Sequence, residues 1–256
     1  GKDFDALRNK AREMGAKTKF SATEAAEAMN YMAMAGWKTK DMVSGIGGIM
    51  NLAAASGADL ARTSDIVTDA LTAFGKSASD SGTFADVMAA ASSNANTNVE
   101  MMGETFKYVG AAAGAMGYSI QDIALATGLM ANSGIKGSEA GTALRSVITR
   151  MAKPTKESSA AMKKLGLSMT DSKGRMKSFG TIMKDMRKGM KGMTEDQKAS
   201  YAAMLGGQEA MSGVLAIANA SEKDFNKLSK AIDNSKNAAQ NMAKVKLDNL
   251  KGDVTI

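Results

Sequence analysis

Gly36–Asn51 reads GWKTKDMVSGIGGIMN, and Gly117–Asn132 restates it loosely as GYSIQDIALATGLMAN. Gly36 corresponds to Gly117, Trp37 to Tyr118, Asp41 to Asp122, Gly47 to Gly128 and Asn51 to Asn132. Upstream, Glu27 and Tyr31 recur as Glu104 and Tyr108, four residues further from the glycine. Four residues is close to one helical turn, so the preceding helix lengthens with little rotation of its face. Each stretch therefore reads as a helix, a glycine that stops it, and a second helix. Two explanations stand. One is a duplicated helix–glycine–helix unit, about 27–56 and 104–132; the other is chance recurrence in a chain rich in Ala, Gly and Met.

The composition points the same way. Of 256 residues, 44% are hydrophobic, and much of that fraction is Ala and Met. Both residues favour helix, and Met fills irregular gaps between helices. The lone proline, Pro154, and an aromatic content of 5% argue against an all-β fold. The chain has no His and no Cys. That removes disulfides, thiolate and imidazole metal sites, and nucleophiles paired with histidine. The net charge of +7 suits a solvated, slightly basic surface, or a face for nucleic acid or anionic membrane. No signal peptide is visible. The chain lacks an initiator Met, and its helical pattern runs to the C-terminus, so it reads as a segment of a longer protein. Met42–Ala58 is uncharged but short for a membrane span and carries four glycines.

Local signals divide the chain into short helices. Residues 3–16 place Phe4, Leu7, Ala11 and Met14 on one stripe. Ser21 and Glu24 form a capping box for a helix to about Ala35. The next begins at Thr39 or Lys40 and stops at Gly57. Thr63–Asp65 lies near the start of another, and Thr83–Asp86 reads as the cap of the one after it. Asn98 and Ser119 cap two further helices, and Ser138 a third that ends before Pro154. Between Leu167 and Lys177 the pattern alternates around Asp171-Ser-Lys-Gly174, which predicts a small β-hairpin. Helix resumes at Phe179. Thr194 and Gln197 cap a short helix to Leu205, and Gln208–Ala218 is apolar and helical. Ser221 opens a last, long helix with Phe225, Leu228, Ile232, Ala239, Met242, Val245 and Leu250 on its buried side. The expected architecture is all-α: a bundle of short helical hairpins with one β-hairpin near 167–177 and a long C-terminal helix. It divides into a helical core at 1–165, hairpin plus short helices at 166–220, and the C-terminal helix at 221–256.

No motif selects a chemistry, and no catalytic, cofactor-binding or metal-ligating residue is nominated. Gly45-Ile-Gly47-Gly48 lacks the strand that precedes a phosphate-binding loop and reads as helix packing. Gly134–Ser138 lacks both that strand and the spacing, and reads as a helix corner. Glu100 and Glu104 share a helix face, but nothing sets them across a cleft as a glycosidase requires. Trp37 and Tyr118 read as plugs of the core. Lys173, Arg175, Lys177, Lys184, Arg187, Lys188 and Lys191 form the densest basic region, with Phe179 as the one interleaved aromatic. It is a solvated face or a contact for DNA or an acidic protein surface; a stacking platform for single strands is not supported.

An ordered series of strings is more specific than any of these. It comprises Phe20–Met29, Ala35–Trp37, Asn51–Gly57, Ala73–Gly75 with Ala85–Val87, and Asn94–Glu100. Ala131–Arg145, Ala152–Pro154, the Gly166 region and Met204–Gly207 complete it. In this order they resemble the core region of the tail tape measure proteins of long-tailed phages and prophages, over roughly Lys10 to Gly252. Met stands where such cores usually carry Leu at Met29, Met32, Met42, Met50, Met101 and Met151, and Leu205 replaces a common Phe. The resemblance implies a non-enzymatic structural protein that sets tail length, nucleates tail tube assembly and leaves at infection to help DNA delivery. It further implies the tail tube protein, distal tail and baseplate hub proteins and tail assembly chaperones as partners. Transient contact with DNA or host membrane, and several copies per tail, are also implied. The location would be the tail lumen of the virion, after the host cytoplasm during assembly. A membrane-active, pore-forming helical module and a cell-wall-degrading enzyme are the alternatives.

Overall fold

The computed structural model describes the backbone of residues 1–254 and the side chains of residues 1–251. Among the described residues fourteen α-helices follow one another: α1 Lys2–Lys17, α2 Ala22–Met34, α3 Thr39–Ser56, α4 Leu60–Ala73, α5 Ser81–Ser93, α6 Val99–Ala115 and α7 Ile120–Asn132. After them come α8 Gly137–Ala152, α9 Lys156–Leu165, α10 Phe179–Met190, α11 Glu195–Gly206, α12 Met211–Asn219, α13 Glu222–Asp233 and α14 Ala238–Val254. The expectation of an all-α fold holds.

The helices stack as hairpins in two rows. α2, α4, α6 and α8 pack side by side in an outer row, with α1 beside α2 and α11 beside α8. α3, α5 and α7 form an inner row that continues to α12. α14 then covers α3 and α5, and α13 covers α5 and α7, so the inner row is enclosed on both sides. A helix apolar all round must be buried. Past its first turn this is the situation of α3, which buries Met42, Ile46, Ile49, Met50 and Leu52–Ala55, and of α7, which buries ten of its residues. The uncharged run Met42–Ala58 thus covers most of α3, the first helix of the inner row, and the corner after it. Among the described residues no helix is long and apolar enough to cross a membrane.

Close packing rests on small residues. A Cβ on Gly45 would overlap the Trp37 ring, and one on Gly48 would lie 2.8 Å from the Ser81 backbone oxygen. Gly45 and Gly48 are therefore packing positions, whereas Gly47 has only Met14 Cε at 3.9 Å. Methionine fills the remaining space. Met29, Met32, Met42, Met50 and Met151, read as Leu-to-Met departures, are all buried, while Met101 is exposed. Phe106 sits between Phe74 and Phe84 at 5.5 and 5.8 Å. Tyr118 is buried with its ring 5.1 Å from Phe179, and Trp37 packs half-buried on the core, as expected of both.

The corners at Gly36 and Gly117 are built alike. Both glycines have positive φ, at 91° and 72°. In each, the next residue's N–H reaches back five positions, Trp37 to Met32 and Tyr118 to Ala113, both at 3.0 Å. The same bond recurs after Gly75, Gly134 and Gly166. It is the general helix stop of this chain, because glycine takes the left-handed conformation without the Cβ clash other residues meet.

Several local expectations need correction. The β-hairpin near 167–177 does not form; the segment holds one isolated antiparallel bridge, Thr170 to Met176. Leu167 and Met169 turn toward the core, but Met176 is exposed, so the returning arm has no apolar face and gains no third strand. Asp171 closes this loop instead, accepting from the N–H groups of Lys173 (2.9 Å) and Arg175 (3.0 Å) and from Arg175 Nε (2.9 Å). The long C-terminal helix is two helices. It breaks at Asn234–Asn237, where Asn237 adopts φ 65°, a conformation asparagine tolerates. Val245 and Leu250, expected to be buried, are exposed, because α14 starts on a new axis against α3 and α5. Thr83–Asp86 caps nothing locally: α5 begins at Ser81, after a 3-10 turn at Ala78–Asp80. Ser138 is not a cap either; α8 begins at Gly137. A second 3-10 turn, Gln208–Ala210, precedes α12.

Candidate interaction surface

The one sequence feature that invited a partner is the basic region, and the fold separates its members. Helix α10 alternates sharply around its axis. Phe179, Ile182, Met183, Met186 and Met190 are buried, and Lys184 and Lys188 lie on the opposite, exposed side with Lys191 just past the helix end. Lys177 is drawn to Asp185 at 3.1 Å, and Arg175 to Asp171 at 2.9 Å. Lys173 remains exposed on the Asp171 loop.

Arg187 turns inward. Its guanidinium donates from one nitrogen to the carbonyls of Ile217 (2.8 Å) and Ala220 (2.6 Å), and lies 4.6 Å over the Phe225 ring. It thereby satisfies carbonyls at the C-terminal end of α12, where the helix dipole favours a cation, and ties α10, α12 and α13 together. Burial lowers its pKa from the ordinary guanidinium range, and the neighbouring Glu222 opposes that shift. The group remains a cation at any physiological pH. Sequence reading grouped Arg187 with the surface lysines. The signal that separates them is period: Arg187 falls one step from Met183, Met186 and Met190, on the margin of the buried stripe.

Together these residues shape a groove of about 850 Å³ where the α10–α11 and α12–α13 corners meet. Its walls carry Lys184, Lys188 and Lys191 on one side, Asn219, Glu222 and Asn226 on the other, with the Arg187–Phe225 pair between them. Lys198 crosses the end, held by Glu195 at 3.3 Å and Asn219 at 2.9 Å. By contrast, Lys184, Lys188 and Lys191 make no ion pair among the described residues.

The glycine corner and the acidic pair weighed in the sequence form no site. Gly134 and Gly137, both at positive φ, form the corner between α7 and α8, and Thr105 donates to the Gly137 carbonyl at 2.8 Å. Glu104 meets Arg62 of α4 at 3.4 Å, while Glu100 is exposed at the start of α6. Among the described residues no group of His, Cys, Asp or Glu is placed to hold a metal ion.

Comparison with known proteins adds what the groove does not say. A family model described as phage-related minor tail protein matches residues 8–207. The tape measure protein of Pneumococcus phage Dp-1 is 38% identical over 95% of this chain, and the probable tape measure protein of Escherichia phage P2 is 29% identical over 98% of it. The chain spans only 21% of the first relative and 31% of the second. No solved structure matches it significantly.

Proposed function

This chain belongs to the phage-related minor tail protein family, and on that premise we propose that it is a folded helical region of a tail tape measure protein. The observation that carries the reading is the 38% identity to the Dp-1 tape measure protein along 95% of the chain. In this role the parent protein sets tail length as a ruler and nucleates polymerisation of the tube at the distal end. It rests in the tail lumen of the virion, having been made in the host cytoplasm, and is released at infection ahead of the DNA. Its partners are the tail tube protein, the distal tail and baseplate hub and the tail assembly chaperones. Several copies act per tail, with transient contact to DNA or host membrane during ejection. The role is structural rather than enzymatic.

Two features of the fold suit a body that must pass through a tube. The helices meet through Gly and Ala, whose side chains bury little area each. In the outer row each helix packs on the next, so opening of that row can proceed stepwise. The membrane-active reading drew on Met42–Ala58, and most of that stretch lies in the buried helix α3.

The test is tail length by electron microscopy in a phage that encodes this chain within its full tail protein. In-frame removal of helical sequence outside residues 1–256 should shorten tails by about 1.5 Å per residue removed. Tails of unchanged length would overturn the ruler assignment.

A further inference from the structure

We propose that the groove at the α10–α11 and α12–α13 corners is a docking site for an acidic polypeptide segment, held by Lys184, Lys188 and Lys191. The inference stands on the chemistry of the groove and does not require the ruler role. Five cations line it, against two carboxylates, Glu195 and Glu222. Two of the five already have partners within the chain: Arg187 holds the end of α12, and Lys198 is bonded to Glu195 and Asn219. The three remaining ammonium groups follow the spacing i, i+4, i+7, two on the exposed side of α10 and Lys191 at its C-terminal cap. They form a ridge of about 10 Å. Carboxylates on alternate residues of an extended segment, or one turn apart on a helix, match these intervals. Among the described residues no carboxylate pairs with the ridge, and an occupant bearing two or three carboxylates would neutralise it.

The rest of the lining favours polypeptide over nucleic acid. Glu195 and Glu222 stand on the rim, where a continuous phosphate backbone would meet them. The one aromatic ring, Phe225, is buried beneath Arg187 and offers no face for a base to stack on. Asn219 and Asn226 supply amide donors and acceptors for a peptide main chain. Lysine, a compact and freely rotating charge, recognises single carboxylates without demanding a fixed plane.

The experiment measures anisotropy of a labelled, Glu-rich peptide titrated with this chain at low and high ionic strength. A Gly/Ser peptide and single-stranded and duplex DNA serve as comparisons. Saturable, salt-sensitive binding of the acidic peptide is expected. K184E/K188E/K191E should weaken it by about tenfold, three exposed charge contacts being removed. K40E/K76E/K107E makes the same change of net charge on exposed lysines elsewhere and should leave affinity within about twofold. E195Q/E222Q should tighten binding, which keeps the test decisive if a lysine variant folds poorly; circular dichroism and melting report on that. Equal losses in both lysine triples would show attraction by bulk charge alone and overturn the proposal. So would tighter binding of DNA than of peptide, or no saturable binding. Sedimentation without peptide tests a second copy as the occupant: self-association abolished by K184E/K188E/K191E would also overturn it.

Discussion

The carboxylate of Asp86, in the middle of α5, accepts hydrogen bonds from the backbone N–H of Asn237 at 2.9 Å and, through its other oxygen, from that of Ala239 at 3.0 Å. One residue thus caps the start of α14 from 151 positions away. The first amides of a helix have no partner of their own. Asp86→Ala should therefore destabilise the chain by about 1 kcal/mol, the usual value of an N-cap. Amide exchange will show the loss concentrated in α14, while α5 keeps its protection. Asp86→Asn retains an acceptor and should lose less.

Two neighbouring glycines give a sharper test of packing. Gly48→Ala places a Cβ against the Ser81 backbone, which cannot swing aside, and should cost about 1–3 kcal/mol. Gly47→Ala meets open space apart from Met14 Cε and should be neutral or stabilise by up to about 1 kcal/mol through helix propensity. Thermal melts of the two variants should move in opposite directions or, at the least, by clearly different amounts.

Arg187 holds three helices, so its replacement should act on stability rather than only on surface charge. Arg187→Lys keeps the charge but cannot reach both carbonyls while stacking on Phe225. A loss of about 1–3 kcal/mol in urea unfolding is expected, the usual range for hydrogen bonds to a charged group. Lys188→Ala, one residue along on the exposed side, should change stability by less than about 0.5 kcal/mol.

Alkaline pH should reveal Tyr118. Burial pushes its hydroxyl up from 10.0 to about 12. A raised pKa means that the folded form holds its proton longer than the unfolded one. Its contribution is complete below pH 10 and is lost as pH rises toward 12. Absorbance titration should show one tyrosine that ionises late, in step with unfolding, and Tyr118→Phe should remove both the late step and that part of the pH dependence.

Acid should act on the 166–178 loop through Asp171. Hydrogen bonds from the Arg175 backbone, more than any other influence, hold its carboxyl below the ordinary value of 3.8. A lowered pKa gives stability that is present above the ordinary value and lost as pH falls through the folded one. Protection of the Lys173 and Arg175 amides should therefore persist through pH 4 and disappear only in stronger acid.

What could be read from the chain was whatever local rules govern. Helix class followed from composition, and the helix ends at Gly36, Gly57 and Gly117 followed from the need for a residue that accepts positive φ. The caps at Asn98, Ser119, Thr194 and Ser221 also form as read, and Ser21 caps α2 without the reciprocal Glu24 bond of a full box, because each bond closes within three residues. The hairpin near 167–177 was misread for the same local reason: alternation predicts strands, but only a third strand or an apolar face keeps a pair together.

The two restated stretches show where sequence stops deciding. Asp41 reaches back to the Lys38 N–H at 3.0 Å, within its own helix start. Its counterpart Asp122 turns outward and accepts from the Gly180 N–H at 2.9 Å, capping α10 from 58 residues away. Trp37 lies over Gly45, and its counterpart Tyr118 stacks on Phe179. The sequence by itself determined the helices, their stops and the family resemblance, since these depend on bonds and patterns a few residues long. Only the tertiary structure decided which lysines of the basic region stay free, which carboxylate caps a distant helix and where a groove opens. Those properties belong to pairs of surfaces brought together by packing, and a one-dimensional pattern carries no term for the partner.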